Sequence, residues 1–366
     1  MPKRKSLKTE IQKQTAKSPE KMTACFTLLV FSDGDDSFGH WHWGSSRPIC
    51  SPSRATCHAE YHTPGEQARS PSRSVSAAGC ATGTGSESRP MAALLLSRAR
   101  WLLVEHPAVA SFRWQPGRTL GATPSFAAAV TCGYLAAVLV LHRLVLPRLP
   151  PLPPRALRLA SAAHNTVLLA LSATMAAGCA LSTAAAAPPP RWAWPFCFPP
   201  GGATEASGPV FFWAHVFYLS KVYELGDTLL ILLGRRPLTL LHVYHHAVVI
   251  AMCYLWLATR QSLMPIALVT NAGVHVVMYS YYLCCSVGLR WPRRLKRAVT
   301  ELQIVQFLFS FTASVVMLWL HFTAGGCEGM AGWVFNAVFN ASLLALFLDF
   351  HGAAYKAAKG NKGKAE

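Results

Sequence analysis

An all-α polytopic membrane protein with seven transmembrane helices is the fold class this sequence predicts, and three observations carry the prediction. Hydrophobic residues make up 52% of the chain against 14% charged, and the mean hydropathy is +0.28, a balance that points to a membrane protein rather than to two soluble domains. Apolar runs of about 20 residues, each long enough to cross ~30 Å of hydrocarbon as a helix, fall near 125–146, 158–182, 210–233, 239–257, 263–286, 303–322 and 331–351. The basic residues alternate between the connections. Connections 1–2, 3–4 and 5–6 and the C-terminal tail hold 15 Lys/Arg, while 2–3 and 4–5 hold only Arg191 and Arg260 and 6–7 holds none. The positive-inside rule then puts the C-terminus and the odd-to-even connections in the cytosol. The net charge of +18 reflects that topology and phosphate-bearing ligands; no nucleic-acid module is discernible.

Taken in order, residues 1–90 alternate a Lys-rich start with Ser/Arg/Gly/Pro-rich text such as Ser70-Pro71-Ser72-Arg73-Ser74. They read as a disordered extension or as an over-extended gene model, because Met91-Ala-Ala-Leu-Leu-Leu is itself a credible start. The membrane domain occupies 91–351 and a basic cytosolic tail 352–366. Residues 98–124 read as an interfacial lead-in, with Trp101 and Trp114 at the membrane–water boundary. Span 1 has no Asp, Glu, Lys, Arg or His between Pro124 and Leu141, and nothing in it suggests chemistry. Span 2 holds His164 and Asn165, a weak pair of ligand contacts. Cys197 and Cys327 both fall in non-cytosolic connections, where a disulfide can persist.

Span 3 carries Lys221-Val-Tyr-Glu224-Leu-Gly-Asp227-Thr228. Its four polar groups fall within an arc of about 120°. A buried Lys221–Glu224 pair accounts for two of them but leaves Asp227 needing a cation or a proton. Span 4 carries His242-Val-Tyr-His245-His246, histidines at i, i+3 and i+4 on one helix face, with Cys253 two turns deeper. Span 5 puts His275, Met278, Tyr279 and Tyr282 on one face, which reads either as packing or as a lined pocket. Span 6 opens Thr300-Glu-Leu-Gln303-Ile-Val-Gln306. Span 7 holds an Asn340-Ala-Ser342 sequon that burial should keep unglycosylated. Ionisable groups inside a bilayer are costly and usually functional. Counted at 1.5 Å per residue from the basic loops, all four motifs lie in the cytosolic half, and the expectation is one buried pocket opening to the cytosol.

KVYELGDT, HVYHH, HVVMYSYY and TELQIVQ resemble the four signature motifs of the ELO family of very-long-chain fatty acid elongases, and the resemblance runs from about Leu102 to the C-terminus, closest in appearance to plant members. It implies an endoplasmic reticulum condensing enzyme of lipid metabolism, feeding sphingolipid biosynthesis. Such an enzyme joins long-chain acyl-CoA and malonyl-CoA to give 3-oxoacyl-CoA, CO2 and CoA. It also implies six helices around an acyl tunnel with the first helix outside. On this resemblance His245 is the acyl acceptor, forming an acyl-imidazole; His242 and His246 orient it, and His275 stands near the malonyl unit. Lys221, Glu224, Asp227, Thr228, Met278, Tyr279, Tyr282, Gln303 and Gln306 are the substrate-binding and supporting set. No cofactor and no metal are expected beyond the two CoA substrates. The expected partners are the reductases and dehydratase of the elongation cycle, with homo-oligomerisation left open. Two alternatives stand beside this reading. A membrane di-iron desaturase or hydroxylase shares the HxxHH spacing but needs about eight histidines in several boxes, and a non-enzymatic transporter or proton relay also places charges in spans. The ending Lys362-Gly-Lys364-Ala-Glu366 resembles a KxKxx retrieval signal of the endoplasmic reticulum.

Overall fold

The computed structural model describes residues 88–289 and 291–362. Apart from one isolated bridge, Arg113 to Ser207, every regular element among the described residues is helical. The chain forms α1 (Ser88–Arg100), α2 (Pro107–Ala110), α3 (Pro124–Val140), α4 (Pro154–Ala186), α5 (Gly208–Tyr223), α6 (Leu225–Leu233), α7 (Leu240–Ala258), α8 (Met264–Ser286), α9 (Arg293–Thr323) and α10 (Met330–Lys362). Among the described residues, those from 95 onward belong to one compact unit and 88–94 to another. The disordered reading of residues 1–90 lies outside the described residues, except that α1 already begins at Ser88.

Helix starts follow local chemistry. Thr123 caps α3 by accepting from the Phe126 amide at 3.3 Å, and Thr239 caps α7 by accepting from the His242 amide at 3.2 Å; each satisfies one of the orphan donors of a first turn. Proline stands in the first turn of α3, α4, α5 and α8, where its missing N–H costs nothing. Helix α9 begins ten residues before the apolar run, because Arg and Lys are good helix formers and carry the helix back into the basic connection.

Six helical stretches are long and apolar enough to cross a membrane: Pro124–Arg148, Pro154–Ala186, Leu240–Ala258, Met264–Ser286, Arg294–Thr323 and Met330–Gly352. The chain is a multi-pass membrane protein. The third expected span is instead divided into α5 and α6 at Glu224, where φ −61° and ψ −16° describe a tighter turn than an α-helix. The Asp227 amide there donates to the Glu224 carbonyl, three residues back, at 3.0 Å. Such a 3₁₀ turn inside a helical run often marks a strained, functional stretch.

Helix neighbours close a ring: α4 packs on α5, α5 on α7, α7 on α10, α10 on α9, α9 on α8, and α8 back on α4, while α3 stands outside against α7. The α4–α8 contact is the most extensive. Small residues of α4 such as Ser172, Cys179 and Ser182 are buried there, allowing the close backbone approach on which helix packing in lipid depends; Asn165 Nδ2 donates to Ser286 Oγ at 3.0 Å beside them. Gly178, also on α4, serves the α5 contact, since a Cβ there would collide with the Trp213 ring.

The lead-in differs from the boundary position expected of both its tryptophans. Trp101 is half exposed, but Trp114 is buried in the core cluster, its ring 5.8 Å from His215 and 6.2 Å from Tyr218. The bridge at Arg113–Ser207 draws it inward. On the side away from the basic connections, Cys197 and Cys327 are joined by a disulfide across 130 residues. Beside it Glu328 accepts from Arg260 at 2.7 Å and from the Gly202 amide at 3.3 Å, and the Glu328 amide donates to the Phe198 carbonyl at 2.8 Å. Three connections are thereby tied together.

Candidate active site

The four motifs converge on one cavity of about 280 Å³. From α6 to α10 it is lined by Glu224 and Asp227, by Arg236 and Thr239 of the connection, by His242, His245 and His246, by Asn271, His275, Met278, Tyr279 and Tyr282, by Thr300, Gln303, Gln306 and Phe307, and by Phe347 and Phe350. Of the thirteen residues expected at the site, Lys221 and Thr228 do not line it; both stand behind the wall. Asn271, Thr300, Arg236 and the three phenylalanines were not among the expected residues. Thr300 sits inside a quoted motif and Asn271 lies one turn before another, so their polar character within apolar helices was the available signal.

Lys221 and Glu224 are each only 1% exposed and pair at 2.8 Å. The Lys221 ammonium also donates to Asn271 Oδ1 at 3.3 Å, lies 3.4 Å from His275 Nδ1, and sits 4.3 Å over the Phe217 ring. Glu224 Oε1 is 3.5 Å from the same His275 nitrogen. Two opposite charges sharing one histidine form a compensated buried cluster, the condition under which a buried ion pair is tolerated.

Asp227, which the Lys–Glu pairing left unexplained, has two partners. His164 Nε2 lies 3.1 Å from Oδ1, and the Tyr279 hydroxyl donates to Oδ2 at 2.9 Å. His164 stacks on Tyr223 at 4.9 Å and reaches Asp227 because residue 226 is glycine: a Cβ there would come within 2.7 Å of the His164 ring. The glycine of the first motif thus makes room for a side chain from α4.

In the histidine box, His242 Nε2 is 2.8 Å from Thr228 Oγ1, and the His242 and His246 rings lie 4.4 Å apart. His245 is half-buried, with its ring edge-on to His246 at 5.1 Å and parallel to Phe339 at 6.4 Å. Two buried polar atoms of cavity-lining residues, His246 Nδ1 and Thr300 Oγ1, have no hydrogen-bond partner among the described residues. Gln303 Nε2 has only the Met278 sulfur, at 3.3 Å, and a thioether is a weak acceptor. Such atoms stand ready for a polar ligand. Cys253 is 1% exposed within the apolar core and is not among the cavity-lining residues. The sequon is occupied structurally: Asn340 donates to Ser310 Oγ at 3.1 Å, and Ser342 pairs with the Tyr244 hydroxyl at 2.8 Å.

Ring of helices and site together define a class: a multi-pass helical membrane protein enclosing a histidine-lined chamber. The family model described as GNS1/SUR4, ELO, matches residues 119–363. The chain is 30% identical over 283 residues to an Arabidopsis thaliana protein named fatty acid elongase 3-like, covering 71% of this chain and 93% of the relative. It is 37% identical over 159 residues to long chain fatty acid elongase 1 of Caenorhabditis elegans, covering 42% of this chain and 54% of the relative. With mouse very long chain fatty acid elongase 6 the identity is 36% over 154 residues, covering 41% and 57%. The chain belongs to the ELO family. Its role lies in fatty acid elongation, and neither the di-iron nor the transporter alternative is favoured.

Proposed function

We propose that this chain is a very-long-chain 3-oxoacyl-CoA synthase, the condensing enzyme that joins a long-chain acyl-CoA to malonyl-CoA. The observation that carries the reading is the convergence of four polar motifs from separate helices on one chamber, walled by histidines at one part and by Phe307, Phe347 and Phe350 at another. Condensation needs that combination: a nucleophile, groups that stabilise developing negative charge, and apolar walls for the chain.

The reaction proceeds in two halves. A ring nitrogen of neutral His245 attacks the thioester carbonyl, a C–N bond forms, the C–S bond breaks, and CoA leaves as the thiolate. Malonyl-CoA then loses CO2, and the electron pair of the broken C–C bond becomes the enolate of the two-carbon thioester. The enolate carbon attacks the carbonyl of the N-acylimidazolium, the C–N bond breaks, and neutral imidazole, its proton kept on the other ring nitrogen throughout, is regenerated with 3-oxoacyl-CoA as product. His242 and His246 orient His245. His275, held between Lys221 and Glu224, faces the malonyl unit and stabilises the enolate. Asp227, Met278, Tyr279, Tyr282, Gln303 and Gln306 form the substrate-contacting wall, while Lys221 and Thr228 support it from behind. No metal or other cofactor enters these steps.

In this reading α5 and α6 cross together as a seventh span, six spans enclose the acyl tunnel, and α3 lies outside them. The protein resides in the endoplasmic reticulum membrane with its C-terminus in the cytosol, beside the reductases and dehydratase that complete the cycle. Incubating the full chain with acyl-CoA alone, followed by peptide mass spectrometry, tests the chemistry. Acyl mass on the Val243–Ala247 peptide is the expected result. Acyl mass on Cys253, or activity lost in Cys253→Ala and kept in His245→Ala, overturns the assignment.

A further inference from the structure

Helix α3 is the element with least apparent reason to matter to the site. It lies outside the ring, and its buried residues are Ala127 and Tyr134. Yet Tyr134, 7% exposed, places its hydroxyl 3.1 Å from Thr228 Oγ1, and that same oxygen is 2.8 Å from His242 Nε2. Thr131, one turn earlier on the same face, donates to the Ala247 carbonyl of α7 at 3.3 Å, so the two polar side chains dock α3 onto the helix that carries the histidine box. The Tyr134 ring centroid is 6.5 Å from that of His246.

Resting on the condensing-enzyme reading, we propose that Tyr134 is a positioning residue, which acts through Thr228 to hold His242 as the tautomer protonated on Nδ1. Each hydroxyl has one proton to donate, and a chain of two hydroxyls ending on an imidazole nitrogen has a direction. A phenol, with a pKa of about 10, is a far stronger donor and a poorer acceptor than an aliphatic hydroxyl. Tyr134 therefore donates to Thr228 Oγ1, and Thr228 donates to His242 Nε2. With Nε2 committed as acceptor, the single ring proton of neutral His242 sits on Nδ1. His242 is then a fixed donor toward its neighbours at the site rather than a second base, which leaves the nucleophilic role to His245 alone. Second partners of this kind set both the orientation and the tautomer of a working histidine.

Steady-state kinetics on the full chain in lipid nanodiscs, with acyl-CoA and malonyl-CoA, test the relay. Tyr134→Phe lowers kcat by about tenfold, the rate equivalent of one neutral hydrogen bond, and leaves KM for acyl-CoA unchanged. Thr228→Ser keeps activity because it keeps the hydroxyl, whereas Thr228→Val loses at least as much as Tyr134→Phe. In the Thr228→Val background Tyr134→Phe has no further effect, since its only route to His242 is already cut. Wild-type kcat in Tyr134→Phe, or an undiminished tenfold loss in the Thr228→Val background, overturns the proposal. Nitrogen-15 histidine NMR without substrate reads the tautomer directly, with the His242 signals assigned by their loss in His242→Gln. A bare Nε2 that changes in Tyr134→Phe is expected; a protonated Nε2, or a spectrum indifferent to Tyr134→Phe, overturns the relay. If the wild-type protein forms no 3-oxoacyl-CoA, the reading of the reaction fails by itself and the NMR result still decides the relay.

Discussion

Lys221 and Glu224 illustrate how much a single buried residue can carry in this site. Neither has water to fall back on, so removing either leaves an uncompensated charge beside His275. Breaking such a pair costs about 3–5 kcal/mol, and Lys221→Met is expected to lower the thermal midpoint of the purified protein and to abolish condensation together. Gly226 makes a different demand, for space. Gly226→Ala drives a methyl into the His164 ring, which must give up either its stacking on Tyr223 or its contact with Asp227. Overpacking of that kind costs about 1–3 kcal/mol. The expected result is a lower kcat that Gly226→Ala/His164→Ala does not lower further, because the clash is then gone; kinetics of the two variants check it.

At the scale of elements, the connections on the side away from the basic loops behave as one knot. The disulfide links the α4–α5 and α9–α10 connections, and Arg260 with Glu328 adds the α7–α8 connection. Closing so long a loop stabilises by roughly 2–4 kcal/mol, mainly by restricting the unfolded chain. Cys197→Ser/Cys327→Ser is expected to melt earlier than the parent, and the parent to melt earlier in reductant, by thermal denaturation in detergent. The hydrogen bond from Arg260 holds the Glu328 carboxyl below its ordinary value of 4.5. A carboxyl depressed in the folded state contributes stability that is present above its unfolded value and lost as pH falls through its folded value. The acid limb of the stability profile, below about pH 4.5, should therefore be shallower in Glu328→Gln than in the parent, as a pH series of melting curves will show.

For the whole molecule, the basic connections and the chamber belong to one design. Arg236 lines the cavity beside Pro237 and Thr239, on the side where the positive connections lie. α10 continues to Lys362, and the rest of the ending Lys362-Gly-Lys364-Ala-Glu366 lies outside the described residues.

The sequence by itself determined the helical membrane class, the positions of the apolar runs, and the motif residues that meet at the chamber. Each of those rests on periodicity, length or charge placement, and a polar group in an apolar helix is visible without knowing its neighbours. Only the tertiary structure decided which partner each polar group meets. Asp227 found His164 and Tyr279, and Lys221 and Thr228 turned out to stand behind the wall rather than in it. Trp114 went into the core. Tyr134, a lone tyrosine in an otherwise inert helix, carries no local signal at all, because its importance comes from the packing of α3 on α7. Division of the third apolar run at Glu224 was equally hidden, because a 3₁₀ turn leaves hydropathy unchanged.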